Sequence, residues 1–277
     1  MTFSETLARM LAERDDRNRD NVSRTTSYLE LYALARENGV EIPWVLMAHL
    51  VSRNAGYLMT DLGVALREPG NVFTEDATRE LFGFLERANF LIFLDAWHHL
   101  LHHLLGRTNA LGDETPRFMR DAWRTYEGAA PRFGRVDATL ERSLVLDLVN
   151  NEQNLIERRV VHHPRFGRAR AMVAFFEGVG REAPMVLPIT DERIVVGGFA
   201  KLDRRIETGR RIFDAVLADR ARRDEIFAWA THRPHTGSRS VYTKKTRHAA
   251  TLRDVWPADR ARALGVHDAM EHDPRWP

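Results

Sequence analysis

The sequence predicts an all-α protein, a single globular domain of about eight to ten helices with at most one short β-hairpin near residues 185–198. Apolar residues recur at helical spacing along most of the chain, and residues that start or stop helices flank these stretches. Only MVLPITDERIVVGGF, residues 185–199, has strand-like composition, and Pro188 weakens it as a strand. No linker requires a second domain, and we expect the tail 254–277 to pack on the body or to be partly loose.

The composition is that of an ordinary globular protein of 277 residues, with 44% hydrophobic and 29% charged residues. The absence of cysteine excludes disulfides, thiolate zinc sites and a cysteine nucleophile. The first residues become charged too early for a secretory signal, and no apolar run reaches the roughly 18 residues of a membrane span. We therefore expect a cytoplasmic protein with no membrane partner.

Positive charge is concentrated near the end of the chain, although the net charge is only +2. Residues 199–253 hold 14 Lys and Arg against 6 Asp and Glu. Such a region can contact phosphate or nucleic acid, and an amphipathic helix with a solvated arginine face gives the same count. The sequence leaves both explanations open.

A dense polar run separates the first two predicted helices, the first over residues 3–14 and the second ending at Asn38 and Gly39. This run, NRDNVSRT at residues 18–25, is rich in groups that both donate and accept hydrogen bonds. It is either an elaborate helix cap or the loop of a site. The residues that can cap the second helix are Asp20, Asn21 and Ser23.

A third helix is predicted to start at Pro43 and is apolar nearly all round, which places it in the centre of the domain. Its polar exceptions share one strip of the helix surface: His49, Ser52, Arg53 and Gly56. Arg53 cannot be neutralised by losing its proton, so it requires a carboxylate or a bound anion. An internal salt bridge to Glu86 or Glu152 and an anion site both satisfy it.

The fourth helix is long, begins after Thr74 and carries Glu86 inside a stripe of aromatic residues. Desolvation there would raise the pKa of Glu86 toward neutrality unless Arg53 or Arg87 lies close enough to keep the carboxylate ionised. Asn89, one turn further on, would reach the same region.

Two pairs of histidines at i, i+4 spacing end this helix: His98 with His102, and His99 with His103. That spacing can present two imidazoles to one metal ion. Because no third ligand and no HExxH order accompany them, we predict a polar helix end and no metal site.

A second buried carboxylate is predicted in LVLDLVNNEQNLIERRVV, residues 144–161, where Glu152 lies in the middle of a broad apolar helical face. A carboxylate in that position must be paired, hydrogen-bonded or protonated. The other predicted helices cover residues 117–126 and 169–178 and run from 201 through Trp229.

The segment after Trp229 contains the turn PHTGSR, residues 234–239, in which Pro234 and Gly237 break the helix. Backbone N–H groups, hydroxyls and an arginine together make a nest for a phosphate or carboxylate. A surface loop rich in turn residues has the same composition. The donors that we select here are His235, Ser238 and Arg239.

Several of these segments together resemble the YppC-like bacterial family, whose function is unknown. The matching segments are NRDNVSRT (18–25), HLVSRN (49–54), MTDL (59–62), LERANFLIFLDA (85–96), NNEQNLIERRV (150–160) and PHTGSRSVY (234–242). The resemblance implies a shared architecture and a shared polar site, and it carries over no catalytic residue.

The sequence thus predicts a buried polar site where the third helix and the helices of Glu86 and Glu152 meet. If the protein is an enzyme, hydrolysis or group transfer on an anionic small molecule fits best, with Glu152 or Glu86 as acid or base and His49 transferring a proton. The cofactor is left open. The expected ligand-binding residues are Arg53, Asn54, Asn89, Gln153, His235, Ser238 and Arg239. The alternative is a non-enzymatic scaffold or nucleic-acid-associated protein that uses the basic region 201–253.

Such a site sets three conditions on the fold. Both Glu86 and Glu152 must be largely buried, and Arg53 must contact one of them. Because two carboxylates would repel an anion, the turn at 234–239 must also lie beside Arg53 and supply further donors.

Overall fold

The computed structural model describes residues 1–67, 74–104, 156, 160–178, 183–186, 193–196, 211–241 and 249–257. The described chain is built from helices and one small hairpin, so the predicted all-α class is confirmed. The helices are α1 (Phe3–Ala12), α2 (Arg14–Arg17), α3 (Asn21–Glu37), α4 (Pro43–Ala65), α5 (Glu75–Leu104), α6 (Gly167–Gly178), α7 (Arg220–His232) and α8 (Leu252–Val255). Two 3₁₀ turns, Pro164–Phe166 and Arg239–Val241, and a π-helical turn, Phe213–Leu217, complete them.

Local sequence signals set most helix ends where they were predicted. Asp20 caps α3 by accepting a 2.7 Å hydrogen bond from the backbone N–H of Ser23, and Thr74 accepts one at 3.2 Å at the start of α5. Pro43 occupies the first turn of α4. Gly39, with φ of +75°, follows the end of α3 in the left-handed conformation that favours glycine.

The main apolar core lies between α1, α3, α4, α5, the turn at 213–217 and α7. Trp97 is fully buried and stacks on Phe93 with ring centroids 5.1 Å apart. Tyr28 of α3 contacts both rings, at 5.2 and 5.8 Å. Because each large aromatic ring removes about 150–250 Å² from water, this cluster fixes how α3 and α5 pack.

Two smaller apolar clusters extend the core along α5. One joins α5 to α6 and to the preceding 3₁₀ turn, and it includes the buried Ile156 and Val160. The other places Trp256 on Phe82, stacked at 4.7 Å, so the start of the predicted tail packs on the body.

A two-stranded antiparallel sheet pairs β1 (Ala183–Val186) with β2 (Arg193–Val196), with Ala183 opposite Val196. It agrees with the prediction of at most one short hairpin in this part of the chain. None of the helices described is long and apolar enough to cross a membrane.

Several predicted features lie outside the described residues. They are the helix at 117–126, Glu152 and Gln153, most of the helix at 144–161, the start of the helix after 201, and the end of the tail.

Candidate functional site

The first turns of α3 form the centre of a buried polar arrangement. The two terminal nitrogens of Arg24 donate to the two carboxylate oxygens of Glu86 on α5, at 2.9 and 2.7 Å. The side chains are 1% and 3% exposed. Arg24 also donates to the backbone carbonyl and side-chain oxygen of Asn18, and Asn18 in turn donates to the carbonyl of Phe90 at 3.2 Å. This end of α3 is therefore fixed to the middle of α5.

Glu86 is buried as predicted, but its bidentate partner is Arg24, which the sequence analysis passed over. A paired guanidinium favours the ionised carboxylate. The ion pair with Arg24 anchors α3 to α5, and the acid or base role of Glu86 stays a prediction. That Arg53 contacts Glu86 or Glu152 stays a prediction, since Glu152 lies outside the described residues.

The same turns of α3 are also bound to α4. The Asn21 amide donates to the carbonyl of Ser52 at 2.9 Å, and the hydroxyls of Thr25 and Ser52 lie 2.8 Å apart. One turn earlier on α4, the Nδ1 atom of His49 lies 2.8 Å from the carbonyl oxygen of Thr25. The strip predicted on α4 therefore faces α3.

The protonation of His49 follows from this contact. A carbonyl oxygen only accepts, so Nδ1 carries the ring hydrogen and Nε2 carries a lone pair. Burial and then the nearby charge of Arg53 lower the pKa of His49 to about 3. Its Nε2 is buried and has no hydrogen-bond partner within the described part of the chain. At neutral pH this nitrogen is an acceptor without a described donor.

Arg53 connects α4 to the end of α7. It is 1% exposed, its Nε donates to the hydroxyl of Tyr57 at 2.7 Å, and its Nη2 donates to the carbonyl of Arg233 at 2.5 Å. The guanidinium lies over the ring of Trp229, 4.4 Å from the centroid. These contacts place a permanent positive charge inside the protein.

The turn that follows α7 returns to α3 and α4. Nε2 of His235 lies 2.8 Å from the side-chain oxygen of Asn21, and the backbone N–H of Gly237 donates to His235 Nδ1 at 3.4 Å. His235 therefore donates through Nε2 and packs edge-on against the ring of Tyr57 at 5.4 Å. Burial, then the charges of Arg53 and His49, lower the pKa of His235 well below its ordinary value.

We call these six residues the polar cluster: Asn21, Thr25, His49, Arg53, Tyr57 and His235. They come from three segments that are far apart in the chain, and each has a described contact with another member. Of its members, the sequence analysis selected His49, Arg53 and His235 as site residues.

A close approach of backbone and side chains at Gly56 holds the polar cluster together. A Cβ atom at this position would lie 2.2 Å from the Asn21 side-chain oxygen and 2.8 Å from His235 Nε2. We expect Gly56→Ala to separate these groups and to lower the free energy of unfolding by about 1–3 kcal/mol. Gly167→Ala is the matched control, since a Cβ at Gly167 meets nothing within 4 Å. Equal urea midpoints for the two variants would contradict this packing.

The remaining predicted ligand residues have local partners. Arg239 forms an ion pair with Asp61 on α4 and lies 5.9 Å from the ring of Tyr57. The Ser238 hydroxyl lies 2.7 Å from that of Ser240. The turn is thus beside Tyr57, which lies one helical turn after Arg53 on α4, and the ion pair between Arg239 and Asp61 joins the turn to α4. That Arg239 binds a ligand stays a prediction.

The two predicted asparagines lie away from the polar cluster's contacts. Asn54 donates to the carbonyl of Leu50 within α4 at 2.9 Å, and Asn89 contacts the sulfur of Met59 at 3.6 Å. The hydrogen bonds that join the start of α3 to α4 and α5 are made by Asn18, Asn21 and Arg24. The feature of the sequence that pointed to these three residues was the density of hydrogen-bond donors and acceptors in residues 18–25. This segment both caps α3 and packs against α4 and α5.

Two histidines near the end of α5, His98 and His99, are buried. His98 contacts the carbonyl of Leu94 through Nδ1 at 2.8 Å, and His99 Nε2 lies 3.1 Å from the carboxylate of Asp95. Burial is the main cause that lowers the pKa of His98 to about 4. Among the residues whose positions are described, no three His, Cys, Asp or Glu side chains are grouped to hold a metal ion.

Comparison with known proteins relates the chain to proteins whose function is unknown. A family model described as "Protein of unknown function (DUF2515)" matches residues 16–276. The chain is 30% identical over 254 residues to "Uncharacterized protein YppC" of Bacillus subtilis (strain 168), covering 84% of this chain and 72% of that protein. No solved structure matches.

Proposed function

Since this chain belongs to the DUF2515 family of proteins of unknown function, its activity has to be inferred from its own chemistry, and we propose that it binds an anionic small molecule at the polar cluster. The ligand would lie where the start of α3, the middle of α4 and the turn after α7 converge. Hydrolysis or group transfer on that molecule is the reaction class that we propose.

The observation that carries this proposal is the buried Nε2 of His49. Leaving a buried acceptor without a donor costs about 1–3 kcal/mol, and such groups in native proteins are commonly satisfied by water or by a ligand. His49 Nε2 has no partner within the described residues and lies in a cluster that also contains the cationic Arg53. A ligand that donates to His49 would satisfy it.

The electrostatics of the polar cluster favour a negative charge. The charge of Arg53 contributes to the lowered pKa of both His49 and His235. A potential that opposes proton binding at two neighbouring imidazoles attracts an anion by the same amount per unit charge. This supports an anionic ligand without requiring a charge from Arg239.

His49 would become a useful proton acceptor only with the anion in place. A base works best when its pKa is near the operating pH, and the pKa of His49 is lowered to about 3. A bound negative charge next to Arg53 would raise it again. Binding and proton transfer are therefore coupled in the reaction that we propose.

A thermal-shift and native mass spectrometry screen of phosphorylated and carboxylated metabolites, with and without divalent metal, tests the proposal. A ligand at about 100 times its Kd should raise the free energy of unfolding by about 2.7 kcal/mol. We expect Arg53→Gln to lose this shift and Arg53→Lys to retain part of it.

The matched control is Arg17→Gln, because Arg17 also lies over an aromatic ring, that of Trp97 at 5.9 Å, and its described ion pairs run to Glu13 and Glu30, outside the polar cluster. It should keep the full shift. If no anion stabilises the protein, or all three variants keep the shift, the polar cluster only fixes helix register and the scaffold function is favoured.

The described part of the basic region does not favour a nucleic-acid surface. Arg222 and Arg223 donate to the carbonyls of Ala215 and Leu217, which lie in the π-helical turn. Arg223 also pairs with Glu41. These arginines stabilise the connection into α7, so their charge has a structural use.

A further inference from the structure

The environment of His49 restricts what can bind beside it. The Thr25 carbonyl on α3 fixes the ring hydrogen on Nδ1, so Nε2 can only accept while the ring is neutral. Arg53 and Tyr57 on the same helix and His235 from the turn are the charged or titratable neighbours in the polar cluster. A ligand oxygen that carries no hydrogen would place its own lone pairs against the lone pair of Nε2, and the two acceptors would repel each other.

The neighbouring donors already have partners. The ring hydrogen on His235 Nε2 is donated to Asn21. The described hydrogen bonds of Arg53 run to the Tyr57 hydroxyl and the Arg233 carbonyl. No described residue donates to His49 Nε2, which leaves this hydrogen bond for a ligand to make.

We propose, resting on the anion-binding function above, that the ligand carries a protonated phosphoryl group whose P–OH donates to His49 Nε2 while its charged oxygens face Arg53. His49 and Arg53 are one helical turn apart on α4, so the donor and the negative charge belong to one small group. Phosphate meets both requirements, because it keeps a hydrogen on one oxygen at neutral pH.

Sulfate provides the discriminating comparison. It has nearly the same size and charge as phosphate, but it carries no hydrogen at neutral pH and cannot donate to Nε2. Because sulfate lacks this hydrogen bond and places two acceptors together, it should bind at least about tenfold more weakly than phosphate, or by about 1.4 kcal/mol.

The experiment is isothermal titration calorimetry of the full chain at pH 7 with inorganic phosphate, sulfate and glycerol 3-phosphate. In the wild-type protein we expect inorganic phosphate to bind at least about tenfold more tightly than sulfate. A phosphate monoester has a second pKa of about 6 and mostly lacks the P–OH hydrogen at pH 7, so glycerol 3-phosphate is compared with inorganic phosphate at about pH 6, where about half of it keeps that hydrogen. The tighter of the two phosphoryl compounds identifies the source, free ion or ester.

The informative variant is His49→Asn, whose amide can still donate to the Thr25 carbonyl but has no atom at the Nε2 position. We expect it to remove the preference for phosphate over sulfate, because the P–OH group loses its acceptor while sulfate no longer meets a lone pair at the Nε2 position. His98→Asn is the matched control, since His98 also has Nδ1 on a backbone carbonyl and a buried Nε2 without a described partner. The His98→Asn variant should keep the preference for phosphate over sulfate.

Equal affinities for phosphate and sulfate in the wild-type protein would overturn the inference and leave anion binding intact. Equal weakening of both ions in His49→Asn would do the same. If neither ion binds while carboxylates do, the phosphoryl assignment fails; if no anion in the wider screen binds, the proposed function fails as well. The wild-type ratio decides the matter even if His49→Asn does not fold.

Discussion

Replacing Arg24 with methionine is expected to lower the free energy of unfolding by about 3–5 kcal/mol, the cost of leaving one member of a buried ion pair without its partner. The pair is bidentate, at 2.9 and 2.7 Å, and both side chains are almost fully buried. Removing the guanidinium leaves the Glu86 carboxylate to be protonated or hydrated at that cost. Urea titration followed by circular dichroism measures the loss.

The exposed pair between Arg79 and Glu75 is the control for this measurement. Its side chains are 48% and 82% exposed, so Arg79→Met should cost less than about 1 kcal/mol. A second variant separates charge from packing, because Arg24→Met with Glu86→Leu should recover most of the loss. A loss for Arg24→Met as small as that for Arg79→Met would show that the buried pair does not anchor α3 to α5.

Stability is also expected to fall steeply below about pH 6.5 through three described histidines, His49, His98 and His235. Burial lowers their pKa in the folded state, to about 3 for His49 and about 4 for His98. The unfolded chain then binds more protons than the folded one, so this contribution is complete above the unfolded pKa of about 6.5. It is lost as the pH falls toward the folded values. With about 1.4 kcal/mol per pH unit for each proton, the slope reaches about 4 kcal/mol per pH unit.

The free energy of unfolding between pH 7 and 5 checks this expectation. His98→Asn should reduce the slope of the free energy of unfolding against pH by the contribution of one proton. His232→Asn should leave it unchanged, since His232 is exposed and its ring contacts a carbonyl of its own helix. A flat profile over this range, or an equal effect of the two variants, would show that the buried histidines do not control acid stability.

The burial of Glu86 could be predicted from the sequence, but its partner could not. Helical periodicity places Glu86 among aromatic residues on one face of α5, and that depends only on spacing along one helix. Which cation lies opposite depends on how α3 is rotated against α5, and this is set by Tyr28, Phe93 and Trp97. From the sequence alone, Arg24 was only one residue of a capping run.

The sequence by itself determined where α3, α4 and α5 begin and where α3 ends, because each of these positions depends on a few neighbouring residues. Asp20, Gly39, Pro43 and Thr74 act through their own backbone conformation or through a hydrogen bond to a residue nearby. The same is true of the polar strip on α4, which follows from the 3.6-residue period.

The tertiary structure alone decided which polar groups meet. His235 and Asn21 are 214 residues apart and lie 2.8 Å from each other, and Arg53 donates to a carbonyl 180 residues away. Contacts of this kind depend on the packing angles of several helices at once, since every apolar face in the core must be buried together. No local pattern encodes those angles, so the polar cluster became visible only in the folded chain.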